Sequence, residues 1–296
     1  MQLLRFLNPP APFVKGGERL KIILYLALFN FPLKTPEKFQ TMRVITCNVN
    51  GIRAAAKKGF FTWLEQQQPD VVCLQETKAQ PEQLSDALFH PAGYHCYYHS
   101  AQKRGYSGVA VYTRQQPDEI IEGIGWEEID QEGRYLEVRL GDLHLVSLYM
   151  HSGSSSPDRQ IKKFEFMDKF LPYLQQRLQD TPKLVISGDW NIAHRPIDLK
   201  NWRTNQKFSG FLPEERAWME KLFGEVGFVD AFRILNQSEG EYSWWSNRGQ
   251  AWAKNVGWRI DYQVISPALR DLVERVEIYR AERFSDHAPV IVDYTI

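Results

Sequence analysis

From Met42 onward, short apolar runs alternate with amphipathic stretches, and this alternation constrains the fold more than any other feature of the chain. Arg43–Cys47 and Val71–Gln75 are largely apolar runs of strand length, the pattern of strands covered on both faces. Phe60–Gln67 reads as a helix stopped by Pro69. Gly108–Tyr112 reads as a strand, and Arg134–Leu140 with Leu143–Tyr149 as a hairpin turned at Gly141-Asp142. A long helix is predicted over Asp158–Leu178, where Pro157 precedes Ile161, Phe164, Met167, Phe170, Leu171 and Leu174 at helical spacing. Lys183–Ser187, Arg259–Ser266 and Pro289–Asp293 are further strands. No linker or fixed repeat intervenes, so residues 42–296 are expected to form one α/β domain with mixed sheets sandwiched by helices.

Composition narrows the class. With 43% hydrophobic and 24% charged residues, the chain is neither disordered nor of low complexity. Cys47, Cys73 and Cys96 form no C-x-x-C pair. They suggest neither a disulfide framework nor a thiolate metal site, and fit a reducing, cytoplasmic compartment. The formal net charge is +0, but residues 1–41 carry six basic and two acidic side chains, which leaves −4 on residues 42–296. That excludes a globally basic nucleic-acid coat and leaves room for a local basic face.

Residues 1–41 are read as an N-terminal extension outside the fold. The apolar run Ile22–Phe31 is too short for a bilayer, which needs roughly 20 residues. The extension is expected to be a disordered or weakly docked tail or the product of an upstream start codon with Met42 the true first residue; a targeting segment is a third reading.

Six strand ends carry polar groups. Asn48, Glu76 and Tyr149 follow apolar runs; Asp189 and Asn191 follow another; Asp261 sits in Arg259–Tyr262; and Asp286-His287 precedes the last strand. Ligands of α/β proteins gather where strand ends converge. Oxygen donors with one imidazole and no thiolate select Mg²⁺ or Mn²⁺ over zinc, and such a cation suits phosphate chemistry. Asp189 and Asn191, two apart, face the same side of an extended segment, so one can orient a water and the other a phosphate oxygen. Asp261 is the natural partner to fix the tautomer and hold the charge of His287, and Tyr149 can donate to the phosphate. No P-loop or Rossmann glycine motif occurs, so nucleotide-triphosphate and dinucleotide enzymes drop out, and without a G-x-S-x-G frame serine-hydrolase chemistry is weakly supported.

Two segments suit a polyanion. Tyr242–Ile260 carries Arg248, Lys254 and Arg259, five aromatics and no acid, and Leu199–Pro213 carries Lys200, Arg203 and Lys207 with Trp202, Phe208 and Phe211, again without acid. Cations of this kind hold phosphates, and aromatic faces stack on bases or wall a pocket for an extruded nucleotide. The loop Lys103–Gly108 is a third candidate, with Lys78 a nearby cation.

Cys47-Asn48-Val49-Asn50-Gly51-Ile52-Arg53, Leu74-Gln75-Glu76-Thr77-Lys78, Gly105-Tyr106-Ser107-Gly108, Gly188-Asp189-Trp190-Asn191, Asn255-Val256-Gly257-Trp258-Arg259-Ile260-Asp261-Tyr262 and Ser285-Asp286-His287-Ala288-Pro289 together resemble the exonuclease III family of apurinic/apyrimidinic (AP) endonucleases, within the endonuclease/exonuclease/phosphatase superfamily. The resemblance runs in order through 42–296. It implies a four-layered α/β sandwich of two packed mixed β-sheets flanked by helices. It further implies an Mg²⁺-dependent (or Mn²⁺-dependent) enzyme that cuts double-stranded DNA 5′ to abasic sites, leaving a 3′-OH, and that removes nucleotides or blocking groups from 3′ ends. A monomer suffices for this. Carried over, Asn48, Glu76 and Asp286 match metal positions, and Asp189, Asn191 and His287 are expected to complete the metal site. Asp189 matches the residue that activates water or protonates the leaving group, Asn191 and Tyr149 match phosphate-orienting groups, and His287 with Asp261 the imidazole pair. Lys78, Arg104, Tyr106, Lys200, Arg203, Lys207, Arg248 and Lys254 are expected on DNA, with Trp244, Trp258 and Ile260 walling the sugar pocket.

One position departs. His151 stands in Tyr149-Met150-His151-Ser152-Gly153 where the family usually has proline, so the loop loses a fixed φ and gains a titratable ring. This and Phe208 keep open an enzyme that mainly processes 3′ ends and incises abasic sites weakly. A phospholipid or inositol phosphate phosphodiesterase of the same superfamily is a further alternative, disfavoured by the basic-aromatic segment.

Overall fold

The computed structural model describes residues 40–296, so the reading of the N-terminal extension lies, up to residue 39, outside the described residues. The strands, in chain order, are β1 (Thr41–Asn48), β2 (Val71–Gln75), β3 (His95–His99), β4 (Val109–Thr113), β5 (Glu119–Glu122), β6 (Tyr135–Leu140), β7 (Leu143–Tyr149), β8 (Lys183–Asp189), β9 (Val229–Asp230), β10 (Trp244–Trp245), β11 (Gly257–Trp258), β12 (Asp261–Ile265), β13 (Val273–Ile278) and β14 (Val290–Thr295). One six-stranded sheet runs β13-β14-β1-β2-β4-β3 and the other β5-β6-β7-β8-β12-β9. β1 with β2 and β7 with β8 are parallel pairs, and the other pairings within these sheets are antiparallel.

The eight strands read from the sequence are the interior strands of these sheets, with ends shifted by one or two residues. Of the six strands not foreseen, β3, β5, β9 and β13 are the edges of these sheets, and β10 with β11 forms a separate two-stranded ribbon. An edge strand is half-solvated and carries polar and charged groups, as in His95–His99 and Glu119–Glu122, so it lacks the apolar signature of a covered strand. β1 starts one residue ahead of Met42, with Thr41 paired to Thr295. β12 starts at Asp261 rather than Arg259, whose guanidinium is buried among Asp198 and Asp230.

The sheets meet across a core that includes Val44, Val71, Cys73 and Val111 from one and Leu136, Val138, Leu145 and Val185 from the other. Few polar groups enter it, and Ser147 is one that is paired. Ser147 Oγ donates to the Leu74 carbonyl (2.9 Å) and accepts from Gln75 Nε2 (2.9 Å), which fixes β7 against β2. The outer face of the first sheet is covered by the helices Ile52–Lys57 and Phe60–Gln67. The outer face of the second is covered by Pro157–Asp180, through Phe166, Met167, Phe170 and Leu174, and by Pro213–Glu220, through Trp218 and Met219. The Ser156 side chain caps the long helix by accepting from Arg159 N–H, and Pro157 opens it. The result is the four-layered α/β sandwich. No helix among the described residues is long and apolar enough to cross a membrane.

Candidate active site

Strand register assembles the site. The parallel pairing of β1 with β2 sets Asn48 opposite Gln75, so Glu76 follows beside it; that of β7 with β8 sets Tyr149 opposite Asp189. The antiparallel pairing of β12 with β8 places Asp261 opposite Asp189. Gly188 admits the close approach this needs, because a Cβ there meets the Leu148 carbonyl oxygen at 1.9 Å. Glu76, Lys78, Asn50 and Asn191 all sit at positive φ, between 44° and 53°. L-residues occupy that region at a cost of roughly 1–3 kcal/mol each, and such strain gathers at functional sites.

One ligand atom each from Glu76, Asp189 and His287 lie within 4.8 Å of one another. Asn48 links the carboxylates, its amide donating to Glu76 Oε1 (2.7 Å) and Asp189 Oδ2 (2.9 Å). His287 Nδ1 lies 2.8 Å from Asp261 Oδ2, and its Nε2 lies 3.9 Å from Asp189 Oδ2. Burial works against the imidazolium, but the Asp261 carboxylate overcomes it and raises His287 to about 10. Burial, followed by the charge of Asp261, raises Asp189 to about 7. Burial also opposes the Glu76 carboxylate, yet Lys78 (Nζ to Oε2, 2.6 Å) and the Asn48 amide hold it below its ordinary range. The raised Asp189 marks a centre short of positive charge. That demand and the hard oxygen donors of Glu76 and Asp189 fit a divalent cation, with His287 committed to Asp261.

The other expected ligands are differently engaged. Asn48 turns its amide N–H groups, not its oxygen, toward the carboxylates, and its Oδ1 accepts from Asn50 N–H (3.0 Å). Asn191 donates its amide to the Met150 carbonyl (2.9 Å) and its backbone N–H to Asp189 Oδ1 (2.9 Å). Asp286 accepts from Asn50 Nδ2 (2.8 Å) and Trp244 Nε1 (3.1 Å).

A cleft of about 760 Å³ opens over the polar cluster. Of the residues expected on DNA, Trp244, Arg248, Trp258 and Ile260 line it, with Tyr149 and Phe208. Trp244 and Trp258 meet edge to face at 6.4 Å. Lys78 pairs with Glu76 at the edge of the site. Lys200 and Arg203 line a separate groove of about 1080 Å³ with Arg195, Trp202 and Tyr242. Lys207 lies over the Phe208 ring (5.8 Å), and Lys254 and Arg104 are exposed outside the cleft lining. Tyr106 turns inward, its hydroxyl accepting from Arg134 Nη2 (2.8 Å) and Arg159 Nη1 (2.9 Å).

Two supports were not legible. Lys163 and Glu215, fully buried, pair at 2.6 Å, and Lys163 Nζ also donates to the Asn191 carbonyl (2.8 Å). Each looks like an ordinary surface charge on its helix, and no spacing couples residues 52 apart. Arg134 lies under Tyr149; only the Tyr106 that holds it stood in a recognisable motif.

Residues 45–287 match the endonuclease/exonuclease/phosphatase family. An exodeoxyribonuclease of Bacillus subtilis is 40% identical over 251 residues, which span 84% of this chain and 98% of that protein. A DNA-(apurinic or apyrimidinic site) endonuclease of Dictyostelium discoideum is 38% identical over 260 residues, 85% of this chain and 71% of that one. Among solved structures, a 3′-5′ exonuclease from Neisseria meningitidis superposes with a TM-score of 0.79 at 26% identity, covering 86% of this chain and all of that one (100%).

Proposed function

From the premise that the chain belongs to the endonuclease/exonuclease/phosphatase family and is a DNA-repair nuclease of its exonuclease III branch, we propose that it hydrolyses phosphodiesters 5′ to abasic sites and at 3′ ends with the help of Mg²⁺ or Mn²⁺. The observation that carries this reading is the convergence of Glu76, Asp189 and His287 at the base of a cleft walled by Trp244, Trp258 and Ile260. A lipid headgroup has no use for such stacking walls; an extruded abasic sugar or a frayed 3′ nucleotide does.

Glu76 and Asp189 hold the cation, which supplies positive charge to the scissile phosphate when bound. Tyr149 and Asn191 orient that phosphate. Asp189 takes a proton from the attacking water, whose oxygen bonds to phosphorus as the P–O3′ bond breaks, and that proton passes from Asp189 to the 3′ oxygen, which leaves as a hydroxyl. His287, kept as an imidazolium by Asp261, stabilises the negative charge that builds on the phosphoryl oxygens. The same bond breaks whether the 3′ flank is an abasic nucleotide or the last nucleotide of a strand.

The test compares an abasic duplex, a recessed 3′ end and an inositol phosphate under Mg²⁺. Cleavage of the DNA substrates alone supports the reading; preference for the inositol phosphate contradicts it. A dominant 3′-end rate that shifts toward abasic incision in His151→Pro or Phe208→Ala assigns the loop and cleft rim the choice between the two activities.

A further inference from the structure

Arg134 is almost wholly buried, 3% exposed, and does not line the cleft, so it cannot itself meet a phosphate. It nevertheless grips Tyr149 at three points. Tyr149 N–H donates to the Arg134 carbonyl (2.8 Å), Arg134 Nη1 donates to the Tyr149 carbonyl (3.0 Å), and the guanidinium lies over the phenol ring, 4.7 Å from its centre. We propose that Arg134 is a positioning residue for Tyr149: it fixes the ring in the cleft wall and strengthens the hydroxyl as a donor to the phosphate. This rests on the reading of Tyr149 as a phosphate-orienting group.

The physical basis is twofold. A cation against the face of a phenol draws electron density from the ring, which favours O–H donation, and the desolvated contact resists rotation of the ring out of place. Arg134 is itself held in a fork. Its Nε donates to Glu132 (2.5 Å) and its Nη2 to the Tyr106 hydroxyl (2.8 Å), which in turn donates to Glu132 (3.3 Å). His151 places Nε2 3.2 Å from the same Glu132 oxygen and packs its ring 5.6 Å from Phe166. At the position where the resemblance leads one to expect proline, this chain therefore bears an imidazole packed beside the carboxylate that anchors Arg134.

The experiment is a double-mutant cycle on an abasic duplex in Mg²⁺, with thermal unfolding recorded for every variant. Arg134→Met is expected to lower kcat about tenfold with KM changed by no more than about twofold, and Arg134→Lys to recover part of the loss. In a Tyr149→Phe background, Arg134→Met is expected to change kcat by less than about twofold, because the hydroxyl through which it acts is gone. If Arg134→Met does not fold, Glu132→Gln takes its place in the cycle. Full additivity of the two substitutions, or a change confined to KM, overturns the inference while leaving Tyr149 as a phosphate ligand. A Tyr149→Phe variant with unchanged kcat overturns the reading of Tyr149, and the inference with it.

Discussion

The pair Lys163–Glu215 gives the sharpest energetic prediction, since both side chains are 0% exposed and joined at 2.6 Å. Lys163→Met removes the cation and leaves the Glu215 carboxylate buried with only the N–H groups of Gly210 (2.7 Å) and Leu212 (2.9 Å) and the Gln160 amide (3.2 Å). Stranding a buried charge in this way costs about 3–5 kcal/mol, and the three remaining donors place this case near 3 kcal/mol. For a domain of this size that lowers Tm by roughly 6–12 °C. In Lys163→Met/Glu215→Gln no charge is left, and the glutamine oxygen still accepts from the two amides, so the double variant is expected within about 1–2 kcal/mol of wild type. Urea unfolding of the three proteins measures this. Turnover of abasic DNA should fall in the single variant as well, because Lys163 also anchors the Asn191 carbonyl at the cleft. A single variant less than about 1 kcal/mol destabilised, or a double variant as unstable as the single, refutes the reasoning.

The cluster at Asp198 makes stability depend on acid. Burial by itself raises Asp198, but Arg259 (2.8 Å) and Arg233 (2.7 Å) overcome it and hold the carboxyl at about 2. A depressed folded-state pKa contributes stability that is complete above the unfolded value near 4 and is lost as pH falls toward 2, in all about 2 kcal/mol. Urea midpoints between pH 5 and 2 should therefore fall more steeply for wild type than for Asp198→Asn; parallel curves contradict this. Gly188→Ala forces a methyl onto the Leu148 carbonyl oxygen, and backbone cannot yield as a side chain does. It is expected to cost more than about 2 kcal/mol and to lower kcat by separating Tyr149 from Asp189, which unfolding curves and steady-state rates check together.

Much of the fold was legible because it is interior. Strands such as Val71–Gln75 and Leu143–Tyr149 are covered on both faces, and their apolar runs say so. His95–His99 and Val273–Ile278 lie at sheet edges, where solvent accepts any side chain and the pattern fades. The polar strand ends were legible for the same reason: Asn48, Glu76, Tyr149 and Asp189 interrupt runs that have no other cause to stop. What escaped is the layer beneath them. Arg134, Lys163 and Glu215 are charged residues of the kind that ordinarily faces water, and only the packed structure buries them, with Glu132 half-buried beside Arg134. The amide orientation of Asn48 escaped too, since residue type alone does not fix which end meets the carboxylates.

Incision of an abasic duplex by wild type and Asp189→Asn, with Mg²⁺ and then with chelator, probes the convergent site most directly. Wild type should yield a 3′-OH fragment only when the cation is present, and Asp189→Asn should still bind the duplex while turning over slower by about two orders of magnitude or more. Cleavage that persists in chelator, or a folded wild-type protein that leaves the duplex intact under both Mg²⁺ and Mn²⁺, contradicts a divalent-ion nuclease built on Glu76, Asp189 and His287.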